Sequence, residues 1–239
     1  MTTISERMQA IRERIAEAAR NAGRDPESVT LLAVSKAHPA SALRAAFETG
    51  QRAFGESYLQ EALDKMTELA SFPIEWHFIG PIQSNKTRAI AGHFSWVHGV
   101  DRLKIAQRLA DARPDNMPPL NVCLQVNVSG EASKSGCVPQ ALPALAHAVA
   151  ALPRLRLRGL MAIPEPTSII ALQRRQFRML LELYDALNRE GLGMDTLSMG
   201  MSDDYPAAIA EGATIVRIGT AIFGKRKKQP ATEVTEDTE

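Results

Sequence analysis

Lys36 closes the run Leu31-Leu32-Ala33-Val34-Ser35-Lys36 and shares parity with Leu32 and Val34. Successive side chains of a strand point to opposite faces, so if Leu32 and Val34 face a barrel interior, Lys36 faces it too. An amine in a partly desolvated pocket sheds its charge more readily, and the freed lone pair can attack a carbonyl to give a Schiff base. Most lysines are solvated surface groups, and many stand just past a strand. Other residues must therefore single this one out.

Two further runs do so. Leu197-Ser198-Met199-Gly200-Met201-Ser202 ends in a hydroxyl ahead of a helical pattern, and Arg217-Ile218-Gly219-Thr220 ends in a glycine that permits close approach and a second hydroxyl. Backbone N–H groups at such helix starts suit an anion. Alone, Ser202 and Thr220 are explained equally well as helix caps. Arg217 has the parity of Gly219 and would point inward, where a structural ion pair is the plain alternative. A guanidinium also matches a pyridine nitrogen. A lysine, a phosphate cup and an arginine together fit pyridoxal 5′-phosphate, whose sites pair a Schiff-base lysine with an Asp or Arg at the ring nitrogen. Arg, unlike Asp, would leave that nitrogen unprotonated and weaken the ring as an electron sink.

The elements that must position these residues alternate along the chain. Apolar runs at 30–34, 53–55, 76–79, 95–98, 120–128, 155–163, 196–199 and 214–218 give eight strand candidates, separated by helical patterns. Residues 4–22 form a leading helix with Ile4, Met8, Ile11, Ile15 and Ala18 on one stripe, Thr3 and Glu6 as a capping box and Gly23 as the stop. Pro39 and Gly50 punctuate the next helix, and Asp203, Asp204 and Gly212 a later one. A doubly wound open sheet shares the βα alternation, but eight strands favour closure. The expected fold is a single TIM-type (β/α)8 barrel over residues 1–224, preceded by a helix, in keeping with the usual barrel size of about 250 residues. Active sites of such barrels lie at the C-terminal ends of the strands, with phosphate often held after strands 7 and 8. Residues 225–239 turn abruptly charged and are read as a disordered tail.

The 239 residues carry 28 Lys plus Arg against 27 Asp plus Glu, a net charge of +1. No global field recruits nucleic acid or an anionic membrane, and the basic cluster at Lys225–Lys228 is read as solubilising. No apolar run approaches the roughly 18 residues that span a bilayer. Cys123 and Cys137 show neither metal-ligand spacing nor a secreted framework, so a cytoplasmic, reducing compartment and structural thiols are expected. His77 and His98 lack a carboxylate or second ligand at metal-like spacing and are read as buried, hydrogen-bonded histidines. Asn85 and Lys86 could face the barrel mouth, although capping and solvation account for them as well. Lys134, in the loop after strand 5, is a candidate for transient cofactor transfer.

The segments VSK at 34–36, FGESY at 54–58, WHFIGPIQSNK at 76–86, SKSG at 133–136, RGLMAIP at 158–164, LSMGMSDDY at 197–205 and VRIGTAIFG at 216–224 closely resemble the YggS/PROSC family of pyridoxal-phosphate-binding proteins. The resemblance spans nearly the whole chain before the tail and implies the fold of the barrel domain of alanine racemase. It implies Lys36 as the Schiff-base lysine, Ser202, Gly219 and Thr220 as phosphate ligands, and Arg217 as the pyridine partner. Ser57 departs from the family's usual Asn, so a ring contact at that position would need a bridging water. The family implies a cofactor reservoir that serves pyridoxal-phosphate homeostasis, with pyridoxal-phosphate-dependent apoenzymes as recipients.

A racemase needs two bases on opposite faces of its substrate, the second being a tyrosine from a separate dimerising domain in the racemase. Tyr58, Tyr184 and Tyr205 offer no evident substitute, so a non-catalytic, monomeric carrier is expected. The alternatives are a pyridoxal-phosphate-dependent racemase or lyase, and a cofactor-free Schiff-base aldolase using the same phosphate cup.

Overall fold

The computed structural model describes residues 2–130 and 135–225. Eight parallel strands close into one barrel in sequence order: β1 (Thr30–Val34), β2 (Ala53–Glu56), β3 (Glu75–Phe78), β4 (Trp96–Val100), β5 (Leu120–Gln125), β6 (Leu155–Met161), β7 (Thr196–Ser198) and β8 (Ile215–Ile218). The pairing of β1 with β8, Leu32 opposite Arg217 and Ala33 opposite Ile218, is the contact that closes the ring. An open doubly wound sheet is thereby excluded. Each strand is followed by a helix: α2 (Ala40–Glu48), α3 (Leu59–Glu68), α4 (Thr87–His93), α5 (Leu103–Ala112), α6 (Leu142–Ala150), α7 (Ile170–Arg189), α8 (Tyr205–Ala210) and α9 (Thr220–Phe223).

The leading helix, α1 (Ile4–Asn21), starts at the expected capping box: Thr3 Oγ1 accepts from Glu6 N–H at 3.1 Å and Glu6 Oε2 accepts from Thr3 N–H at 2.7 Å. Such a cap contributes about 1 kcal/mol. The stripe that it buries is Met8, Ile11, Ile15 and Ala19. Ala19, rather than the expected Ala18, completes it, because the fourth helical turn falls one residue later at 3.6 residues per turn. The stripe packs onto α2, α8 and α9, and each large apolar chain contributes about 1.5–3 kcal/mol by burial.

Strand interiors are nearly continuous in apolar residues, as parallel strands covered by helices require. Leu32, Ala53, Ile215 and Ile79 meet inside the barrel, and Trp96, Cys123 and Met161 form a second inner group. Where β6 meets β7 the backbones come so close that a Cβ on Gly159 would fall 1.7 Å from Thr196 O; only glycine allows this pairing. The fifth and sixth strands end at Gln125 and Met161, earlier than the expected 128 and 163, because the chain there leaves the ladder as the loops of the mouth begin. No helix among the described residues is long and apolar enough to cross a membrane. Lys134 and residues 226–239, nearly all of the expected tail, lie outside the described residues.

Candidate functional site

Lys36 stands just past β1, at the C-terminal mouth of the barrel. Ser35 prolongs the ladder, its N–H donating to Gly55 O at 3.0 Å, and its hydroxyl donates outward to Glu56 Oε1 at 2.6 Å. Strand alternation therefore assigns Lys36 to the interior side, two steps beyond Val34. Ala37 follows with φ +62, a left-handed conformation that costs a residue with a Cβ about 1–2 kcal/mol. Its N–H donates to Glu61 Oε1 at 2.6 Å, which helps to fix the turn.

Behind the turn lies a charged cluster built on a long-range contact. Lys65, on α3 and almost fully buried, donates to Ser35 O at 2.9 Å and to Glu56 Oε1 at 2.7 Å, and it also contacts Glu61 Oε1. Burial raises the Glu56 carboxyl above the usual carboxylate range, and the neighbouring Lys65 ammonium works against that rise. An i,i+4 spacing of Glu61 and Lys65 was legible, but the long-range partner Glu56 was not.

β8 pairs with β1 on one side and β7 on the other, so the ends of β7, β8 and β1 are consecutive around the mouth. Arg217 N–H donates to Gly200 O at 2.9 Å, and Gly219 stands so close to Val34 that an added Cβ would lie 3.0 Å from Val34 O. With Leu32 opposite Arg217, Gly219 falls level with Val34, and the start of α9 comes level with Lys36. The hydroxyls of Ser202 and Thr220 and the N–H groups of Thr220 and Ala221 make no hydrogen bond among the described residues. These unpartnered donors follow β8, which pairs with β1, and β7, the strand beyond it, and they are what a phosphate requires. Asp204, read as punctuation, does not cap α8 with its side chain; its Oδ1 instead accepts from Met201 N–H.

Arg217 is buried inside the barrel, and it makes no ion pair among the described residues. Its Nη1 donates to Ser198 O at 2.6 Å and to Ser198 Oγ at 2.9 Å, and its Nη2 donates to Ala162 O at 2.8 Å. Burial brings its guanidinium down to about 10, against an opposing pull from Asp204. Its Nε–H and its second Nη2–H have no partner among the described residues, which leaves two donors for a ligand.

His77 and His98 are buried and hydrogen-bonded, as expected, with Nδ1 of His77 2.9 Å from Nε2 of His98. His98 lies in the middle of β4, not at its end. What the sequence did not reveal is that His98 Nδ1 is 2.8 Å from Ser198 Oγ, which links both histidines to Arg217. Burial lowers His98 well below the ordinary histidine value, with His77 and Arg217 adding to the fall, and burial lowers His77 as well. A polar residue at an inward position of β3, β4 and β7 was the available signal. Asn85 and Lys86 are exposed in a short helical turn ahead of α4, which no side chain caps. Ser57 is partly buried after β2. Burial pushes the Cys123 thiol up to about 12 and the Cys137 thiol up to about 11, as structural cysteines should behave. No group of His, Cys, Asp or Glu among the described residues could hold a metal ion.

The model of the alanine racemase N-terminal domain family matches residues 7–227. A pyridoxal phosphate homeostasis protein of Pseudomonas aeruginosa is 68% identical over 226 residues, 95% of this chain and 97% of the relative. The chain belongs to the YggS/PROSC family. A pyridoxal phosphate homeostasis protein of Escherichia coli K12 is 54% identical over 229 residues, covering 95% of this chain and 98% of that one. Among solved structures of the family, PipY of Synechococcus elongatus with pyridoxal phosphate bound aligns with a TM-score of 0.81 at 37% identity, covering 93% of this chain and all of that one. The barrel and its neighbouring β1, β7 and β8 ends are thus the family's architecture, and Lys36 stands at their common mouth.

Proposed function

We propose that this YggS/PROSC protein binds pyridoxal 5′-phosphate reversibly on Lys36 and serves the homeostasis of that cofactor. The observation that carries the reading is that Lys36 shares the barrel mouth with the unpartnered donors after β8, the strand paired with β1, and after β7, the next strand round. In this reading Lys36 holds the aldehyde carbon as a Schiff base. Ser202, Gly219 and Thr220 bind the phosphate, Gly219 because a side chain there would press on Val34. Arg217 offers a fixed N–H to the ring nitrogen, and Ser57 reaches the ring through water. When bound, the cofactor supplies an electron-withdrawing ring to an attached amine. Arg217, a donor only, keeps that demand low.

Among the described residues, none of the three tyrosines is placed as a second base. Tyr184 is tied by its hydroxyl to Met194 O at 2.6 Å, Tyr205 is buried at the start of α8, and Tyr58 is 54% exposed on the rim. This supports a carrier that loads and unloads, acting as a monomer and giving cofactor to apoenzymes, over a racemase or lyase. The names of the relatives agree with it.

The test is the visible spectrum of the protein with added pyridoxal phosphate, beside that of Lys36→Ala, followed by transfer to an apoenzyme. A yellow band lost in Lys36→Ala and delivery without amino-acid turnover are expected. Turnover of alanine abolished by Lys36→Ala would overturn the carrier reading, and a protein unable to bind the cofactor would favour the aldolase. Borohydride trapping with peptide mapping decides whether Lys134 also accepts it.

A further inference from the structure

A polar chain crosses the inside of the barrel from Arg217 to the opposite end. It runs from Arg217 Nη1 to Ser198 Oγ (2.9 Å), from Ser198 Oγ to His98 Nδ1 (2.8 Å) and from His98 Nε2 to His77 Nδ1 (2.9 Å). It ends where His77 Nε2 lies 3.3 Å from Glu75 Oε2, a charge contact too poorly aligned to be a full hydrogen bond. Glu75 begins β3 and lines a cavity of about 660 Å³ at the N-terminal end of the barrel, with Arg12, Gln51 and Arg52. Its carboxylate is further held by Trp96 Nε1–H at 2.9 Å.

The two ends fix the direction of every proton between them. A guanidinium only donates, so Ser198 Oγ accepts from Arg217. The Ser198 hydroxyl proton then has one acceptor among the described residues, His98 Nδ1, which must be bare. His98 therefore carries its proton on Nε2 and donates to His77 Nδ1. His77 in turn carries its proton on Nε2, facing the Glu75 carboxylate. The reverse order would strand a buried hydroxyl proton and set a bare ring nitrogen against a carboxylate.

We propose that His98 and His77 are positioning residues for Arg217: a one-way chain of donors from guanidinium to Glu75 locks both tautomers and holds Arg217 in the geometry that presents its two unused N–H groups to a ligand. The inference is independent of the cofactor in its first part and rests on the proposed function only in its second.

Long-range ¹⁵N–¹H spectra of the apo protein with labelled histidine are expected to show His98 and His77 neutral and protonated on Nε2. A His98 protonated on Nδ1, or a mixture of tautomers, would overturn the proposal whether or not pyridoxal phosphate binds. In the loaded protein, His98→Leu is expected to weaken pyridoxal phosphate binding about tenfold and to shift the visible band and its pH profile. Leu109→Ala, on α5 and remote from the chain, is expected to lower stability without moving the band. A folded His98→Leu with wild-type affinity and band would also overturn it. Should His98→Leu not fold, Ser198→Ala cuts the same chain by one oxygen and is expected to release the tautomer preference of His98; retention of that preference would count against the proposal.

Discussion

Lys65 Nζ donates to the carbonyl oxygen of Ser35 at 2.9 Å, so the residue just before Lys36 is held by a buried cation on the next helix but one in the chain. The same ammonium is the counter-charge of Glu56, whose side chain is wholly buried and whose Oε2 has no hydrogen-bond partner among the described residues.

Removing that cation should therefore cost more than a surface ion pair would. Lys65→Met leaves Glu56 buried and unpaired, and a loss of about 3–5 kcal/mol is expected in urea unfolding. Adding Glu56→Gln to Lys65→Met should recover part of that loss, since the uncompensated charge disappears. A double variant no more stable than the single one would show that the cluster acts only through the Ser35 turn.

Gly219→Ala tests the proposed phosphate cup with little change elsewhere. Gly219 has φ −120, which any residue adopts, so the cost is steric: the new Cβ meets Val34 O at 3.0 Å and Val34 Cβ at 3.4 Å. A shift of β8 from β1 by a few tenths of an ångström is expected to weaken pyridoxal phosphate binding about tenfold while unfolding stability falls by about 1 kcal/mol or less. Fluorescence titration with the cofactor, beside thermal unfolding, separates the two effects.

The buried histidines make stability depend on pH. Both have folded-state values below the ordinary 6.5, chiefly because burial penalises the charged ring. Below pH 6.5 the unfolded chain binds protons that the folded chain refuses, so stability present above that pH is lost as pH falls, by up to about 1.4 kcal/mol per pH unit for each histidine. Urea unfolding between pH 7.5 and 5 should show this slope. His98→Leu should flatten it, and an unchanged slope would assign it to other groups.

Much of this was legible in the chain. The eight apolar runs, the Thr3–Glu6 cap and the parity of Lys36 and Arg217 are local patterns, set by periods of 3.6 and 2 residues that need no knowledge of what packs across the barrel. They were enough to place a lysine, two hydroxyls and an arginine at one mouth. Burial of His77 and His98 could be expected from position alone.

What only tertiary structure decided is which inward residues meet. Glu75, His77, His98, Ser198 and Arg217 come from five positions on four strands, and their line across the barrel depends on the register by which β3, β4, β7 and β8 close the ring. Lys65 finds Glu56 and Ser35 only because α3 folds back over β1 and β2. A period tells each residue its side; closure of the barrel, which joins β8 to β1, tells it its neighbours, and strand register is a property of the whole ring that no single segment encodes.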